Sequence, residues 1–331
     1  PQILLLSLAV TAALAACSKK EEAAAPAADA AAASAEPAKL TLDESKLPPV
    51  NRFEIADLDT SKNACTDFGG YVNGKWLAAN AIPSDRTSWG AFEMLDERST
   101  GVQHQLAEQA AADKNATGVE KIVGDLWSTG MDEAKINAQG IDPIKGELAA
   151  IDALKDKDAI VGYLRSSAAK GQNGLFGFGA NADFNDSTKN IAYAMQGGLG
   201  LPDPEYYGNA ANKQSLQAYQ AHIAKTLELS GIPAVDAATQ AKAVIEFETR
   251  LAKHSKTSTD LSRDTKLFYN PVTLAEADAL TPNFSWTEFF NSQGVAPQDK
   301  FSLAMPDFHK EVSKMLGDTD PAAWRSYLRF H

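Results

Sequence analysis

The chain reads as a mainly α protein: a multi-helix lobe carrying one small β-hairpin. Three observations predict this. Apolar residues recur at i, i+3, i+4 and i+7 through most of the chain, the mark of helices with one buried face. Capping and stopping residues bracket those stretches where helix ends need them. Only residues 174–201 change texture, with alternating or short apolar runs around a polar turn. A length of 331 residues with 44% hydrophobic content allows two domains and a sizeable core.

The first segment is not part of that lobe. Residues 3–16 (ILLLSLAVTAALAA) are apolar and end in small residues. They are too short to span a bilayer comfortably and read as the apolar region of an export signal, incomplete at its front. Leu14-Ala15-Ala16-Cys17 resembles the lipobox of bacterial lipoproteins, so Cys17 is the expected lipidation site and residues 1–17 the signal. Ser18 after the cysteine resembles the outer-membrane sorting pattern, which implies a lipid anchor facing the periplasm. Residues 18–48 are mostly Ala, Glu, Pro and Ser. Such a tract buries too little surface to offset its ordering entropy, and it reads as a disordered tether ahead of a domain at 49–331.

The first helix is expected over Asp67–Ala79. Phe68, Tyr71 and Val72 form one apolar stripe, and Asp67 suits the positive end of the helix dipole. Gly74 inside it costs roughly 1 kcal/mol against alanine, which suggests a close backbone. Ile82-Pro83-Ser84-Asp85 is a turn, and a second helix starts near Gly90. Phe68, Tyr71, Trp76, Trp89 and Phe92 then read as core anchors of a helical hairpin. Val119, Ile122, Val123 and Leu126 mark an amphipathic helix. Asp142-Pro143 opens another, and Asp156–Lys170 is a third with Ile160, Val161 and Leu164 inward.

In the hairpin, Asp183, Asn185 and Asp186 lack the spacing and distal glutamate of a calcium loop and read as a solvated turn. Gly177 and Gly179 complete no dinucleotide fingerprint, and no phosphate-binding loop occurs. The stretch from Gln196 to Tyr207, QGGLGLPDPEYY, has three glycines in four residues, which permit backbone angles closed to other residues. Asn212–Leu229 is a helix with Leu216, Tyr219, Ile223 and Leu227 on one face. Gly231 stops it, and Pro233 opens a helix carrying Val244, Phe247 and Leu251. Glu246 and Arg250, spaced i, i+4, are expected to pair for about 0.3–0.5 kcal/mol. Thr273 caps a short helix, and Phe284, Trp286, Phe289 and Phe290 form an aromatic cluster. Asp320 and Pro321 start a last helix with Trp324, Tyr327, Leu328 and His331 along one stripe. That stripe is still running at His331, so the helix reads as unfinished.

The net charge of −12 argues against a nucleic-acid partner, which would need a clustered basic face. Of the two cysteines, Cys17 belongs to the lipobox. Cys65 is left either bonded to a partner outside this chain or as a free, buried thiol.

Three islands carry a resemblance. They are Cys65-Thr-Asp-Phe with Tyr71, Gly74, Trp76, Ile82-Pro83 and Gly90-x-Phe92; QGGLGLPDPEYY; and Arg263-Asp264 with Tyr269-Asn270-Pro271. Together, over about residues 49–331, they resemble the N-terminal half of the neprilysin and endothelin-converting-enzyme family, which includes bacterial secreted oligopeptidases. The resemblance implies a zinc endopeptidase with two largely helical lobes around an enclosed chamber, acting on oligopeptides. Its metal helix is His-Glu-x-x-His, whose two histidines reach one zinc while the glutamate activates bound water. This chain has five histidines, at 104, 222, 254, 309 and 331, and no such motif, nor the family's Asn-Ala-aromatic segment. Zinc and catalysis would therefore belong to a C-terminal half, with this portion inactive alone. Where the family places a carboxylate-gripping arginine, Ser88 precedes Trp89-Gly90, with Glu93 as the accompanying acid and Arg86 two residues away. Arg86, Ser88, Trp89 and Glu93 are the expected substrate contacts, in a plain endopeptidase. The resemblance also implies that Cys65 bonds to a cysteine near the C-terminus. A peptide-binding lipoprotein without a catalytic half is the competing expectation; a glycosidase finds no motif.

Overall fold

The computed structural model describes residues 39–331 except 51, 173 and 296–298. The export segment and Cys17 lie outside the described residues. The chain divides into two compact units, up to Ala138 and from Gln139 to His331.

In the first unit, α1 (Phe68–Ala79), α2 (Ala91–Ala112), α3 (Gly118–Met131) and α4 (Glu133–Gln139) follow one another. Asp67 caps α1, its carboxylate accepting from the Gly70 N–H at 2.9 Å. The hairpin of α2 and α3 closes tightly because Gly124 sits on α2: a Cβ there would lie 2.5 Å from the Ala110 carbonyl oxygen. Gly74 differs from expectation. The nearest atoms to its missing Cβ all belong to the Asp59 side chain, at 3.3–3.9 Å.

The apolar stripes of this unit are not its core. Phe68 is 67% exposed, Phe92 86% and Leu126 73%. None of the α1 residues is buried, so the reading of those aromatics as core anchors is corrected. The helices form where periodicity places them, but periodicity does not say what covers the stripe. Residues 39–48, read as the end of the tether, dock on α2 instead. Gln109 and Gln105 each exchange two hydrogen bonds with the backbone of Thr41 and Asp43, at 2.6–3.1 Å. Arg98 holds Glu44 and the Pro48 carbonyl, and Leu47 is buried. Those polar side chains, not apolar burial, order a tract that composition alone would leave loose.

The second unit wraps helices around a four-stranded sheet. Its elements are α5 (Lys145–Asp152), α6 (Lys157–Ala169), β1 (Phe176–Ala182), β2 (Asn190–Gln196), α7 (Lys213–Leu229), α8 (Ala234–Ala252), α9 (Ser258–Arg263), β3 (Pro271–Val272), α10 (Leu274–Leu280), α11 (Trp286–Ser292), β4 (Phe301–Leu303), α12 (Pro306–Asp318) and α13 (Pro321–Phe330). Strand order is β1-β2-β4-β3. The predicted hairpin is β1–β2, antiparallel from Phe176↔Gln196 to Ala182↔Asn190. In its turn, Asp183 accepts from the Asn185 N–H and the Tyr269 hydroxyl, and Asp186 from Thr188. β4 pairs parallel to β2 and antiparallel to β3.

The Tyr269-Asn270-Pro271 island anchors that pairing. The Asn270 side-chain amide donates to the Leu303 carbonyl, and its backbone N–H donates to the Ser302 hydroxyl oxygen at 2.9 Å. The aromatic cluster is core as expected: Trp286, Phe289 and Phe290 are buried and pack with Phe176 and Phe301. Ile223, Leu227, Val244 and Leu251 are fully buried between α7 and α8. Arg250 does not pair with Glu246. It bridges Glu311 and Asp318 of α12, joining α8 to α12, while Glu246 lies 3.8 Å from Lys242. Among the described residues no helix is long and apolar enough to cross a membrane.

Candidate functional site

The residues expected to meet substrate sit on the loop that feeds α2 and in its first turn. Gly90 is the helix N-cap and Glu93 lies in the first turn. The Ser88 hydroxyl donates to Glu93 Oε1 at 2.6 Å, and this bond, with backbone N–H groups of the helix start and the nearby Arg86 charge, holds the Glu93 carboxyl below its usual range. A carboxylate there also suits the helix dipole. Arg86 reaches one turn further, to Glu97 Oε1 at 3.0 Å. Trp89 is half-buried. The structure thus brings Ser88 and Glu93 together and commits Arg86 to a different acid. A guanidinium already paired is a weaker grip on a peptide carboxylate than a free one.

Cys65 is exposed and free, on a turn where its N–H donates to Asn63 Oδ1 at 2.8 Å. Of the two states that the residues left open, the buried thiol is not the one seen.

The second unit holds a polar centre that no motif marked. Glu248 of α8 is fully buried. Its Oε2 accepts from the Tyr207 hydroxyl at 2.5 Å and the Gly200 N–H at 3.3 Å. Its Oε1 meets the Tyr219 hydroxyl at 2.9 Å and His331 Nε2 at 2.8 Å. Burial first, then the Glu248 charge and hydrogen bond, push the Tyr207 and Tyr219 hydroxyls well above the usual phenol range, which keeps them donors. Position 248 sits between Phe247 and Leu251 on the buried face of α8. A lone acid at such a position was the available signal.

The glycines of the neighbouring loop serve this centre. Gly198 takes φ +77°, and a Cβ there would lie 2.5 Å from the Tyr327 hydroxyl. Gly200 has no such angle. It is needed for space, since a Cβ would fall 1.7 Å from Tyr219 Oη. Conformational freedom, the reason read from sequence, therefore accounts for only part of the run.

Two of the other histidines pack against neighbours. His309 is buried against the Ala194 carbonyl at 3.2 Å, and burial pushes its pKa down to about 4. His104 packs edge-on to Trp127. Among the described residues no group of three or more His, Cys, Asp or Glu side chains could hold a metal ion. The donor set of a zinc site is therefore not assembled by these residues.

Residues 64–331 match the sequence profile of Peptidase family M13. The chain is 26% identical over 321 residues to endothelin-converting enzyme 1 of Mus musculus, covering 87% of this chain and 40% of that protein. It is 28% identical over 274 residues to the endothelin-converting enzyme homolog of Locusta migratoria, covering 78% of this chain and 38% of that protein. It superposes on the crystal structure of Mycobacterium tuberculosis zinc metalloprotease ZMP1 in complex with inhibitor, with TM-score 0.73 and 29% identity, over 83% of this chain and 42% of that one. The chain thus spans about two fifths of the length of these relatives.

Proposed function

The chain belongs to peptidase family M13, and from that premise we propose that it is the N-terminal portion of a zinc-dependent metalloendopeptidase that cleaves oligopeptides in an enclosed chamber. The observation that carries this reading is the match over 64–331 together with the likeness to a zinc metalloprotease. In this reading zinc and the hydrolytic step belong to a portion that the longer relatives have and this chain does not span, which accords with a sequence that carries no His-Glu-x-x-His. A protein of the relatives' length that contains this chain is expected to hold one zinc and to cleave oligopeptides. Residues 1–331 alone are expected to hold none and to cleave none. Metal analysis showing one tightly held zinc on 1–331 alone would overturn the assignment.

Within this proposal, the loop at 86–93 meets peptide: Ser88 and Glu93 present a hydrogen-bonded polar edge and Trp89 an apolar one. With Arg86 tied to Glu97, the loop favours an endopeptidase over an enzyme that grips a terminal carboxylate.

Export and lipidation complete the proposal. Cys17 carries the lipid, and the protein faces the periplasm from the outer membrane. Radiolabelled palmitate should enter the protein in its host and be lost in Cys17→Ser; equal labelling of both ends the idea.

Cys65, exposed and unpaired here, forms a disulfide with a cysteine of the longer protein. Export supplies an oxidising compartment. A loop of hundreds of residues would contribute roughly 4–5 kcal/mol in the chain-entropy account. Non-reducing peptide mapping should find Cys65 cross-linked. Its full alkylation in denaturant without reduction would refute the bond.

A further inference from the structure

We propose that residues 197–202 form a strap that opens and closes as a unit, and that Glu248 is the latch that makes its closure conditional on the docking of His331. The latch does not depend on the peptidase reading; it follows from how the strap is held.

The strap's two ends and its middle have different anchors. At one end the Gln196 side chain pairs with the Lys256 backbone in both directions, at 2.7 and 2.8 Å. At the other, Asp203 accepts from the Ser258 N–H and hydroxyl. Both anchors are on 256–258 and do not involve Glu248. The middle hydrogen-bonds elsewhere. The Gly200 N–H reaches Glu248, and the Leu201 N–H donates to the Tyr207 hydroxyl, which itself donates to Glu248. The Gly198 carbonyl accepts from the Tyr327 hydroxyl at 2.9 Å. The strap, with Ser255, Lys256, Ser258 and Leu261, lines a solvent-open pocket of about 340 Å³.

Glu248 joins five separate stretches of chain: α8, the strap, the Tyr207 turn, α7 and the end of α13. A carboxylate has about four acceptor positions, and four donors fill them. Losing one donor leaves a buried charge short of a partner, so the remaining contacts are not independent of it. Arg329, beside His331 at the end of α13, is committed to Asp152 and Ser230, so the contact of this helix end with Glu248 is made by His331. The strap's middle and His331, far apart in the chain, therefore order together. Opening the middle while 196 and 203 stay pinned widens that pocket.

Hydrogen exchange of a folded protein carrying the whole chain tests this, because it resolves local opening from global unfolding. In Glu248→Gln, where an amide offers one acceptor oxygen in place of two, amides 198–201 should exchange at least about tenfold faster. His331→Ala should reproduce that pattern at the strap. Tyr219→Phe, which removes one hydroxyl and keeps the packing, serves where Glu248→Gln does not fold, and should show it in weaker form. Arg250→Gln, on the same helix but bonded to α12, should leave the strap unchanged. Uniform acceleration across the second unit, or a His331→Ala effect confined to α13, would overturn the latch.

Discussion

Replacing Gly200 with alanine is expected to destabilise the second unit by about 2–6 kcal/mol, because two penalties act together. The new Cβ would lie 1.7 Å from Tyr219 Oη and 2.6 Å from its Cζ, and overpacking of this kind costs about 1–3 kcal/mol. The ring can relieve the clash only by drawing its hydroxyl off Glu248 Oε1, 2.9 Å away. That strips a partner from a fully buried carboxylate, for about 1–3 kcal/mol more. Gly179 is the matched control. It lies in β1 with nothing within 4 Å of where an added Cβ would sit, and alanine there should change stability by no more than about 1 kcal/mol. Denaturant midpoints read both, with the slope unchanged where the folded state is kept. Equal midpoints for the two variants would show that Tyr219 moves freely and that Glu248 does not depend on it.

The contrast between these glycines marks where sequence reasoning stops. Helix ends were legible because a cap is a local event: Asp67, Asp156, Thr273 and Asp320 each bond an N–H two or three residues on. The β1–β2 hairpin was legible for the same reason, its partners being joined by one turn. β3 and β4 were not. They have two and three residues, too few for a period, and β4 finds β2 across more than a hundred positions. Glu248 was hidden by its own charge. An acid on a helix reads as solvent-facing, and Glu246, two residues earlier, looked the better partner for Arg250. The structure reverses both, sending Arg250 to Glu311 and Asp318 and burying Glu248. In the candidate site, the positions of Ser88 and Glu93 follow from the start of α2, so their contact is local too. The direction of Arg86 depends on Glu97, a full turn beyond, and no spacing rule chose it.

The stripe on α13 gives the other large effect. Trp324→Ala is expected to cost about 3–5 kcal/mol, the range for removing a buried tryptophan. Trp324 is fully buried, its indole N–H donating to the Met315 carbonyl at 3.3 Å. Its ring meets Phe247 edge-on at 4.7 Å, and Phe247 in turn stacks on Tyr327 at 4.2 Å. The indole therefore ties α12 to α13 and presses α13 against α8. Trp324→Phe keeps most of the apolar contact but loses the N–H, and should cost less, about 1–3 kcal/mol. Phe68→Ala, at a position that the same periodicity also placed in a core, should cost under about 1 kcal/mol in this chain, because Phe68 is 67% exposed. Thermal and denaturant unfolding of the three variants separates the cases. The measured order decides whether burial or periodicity controls the loss: a stripe stabilises only where another element lies on it, as α8 lies on α13, and none of the described residues of the first unit buries Phe68.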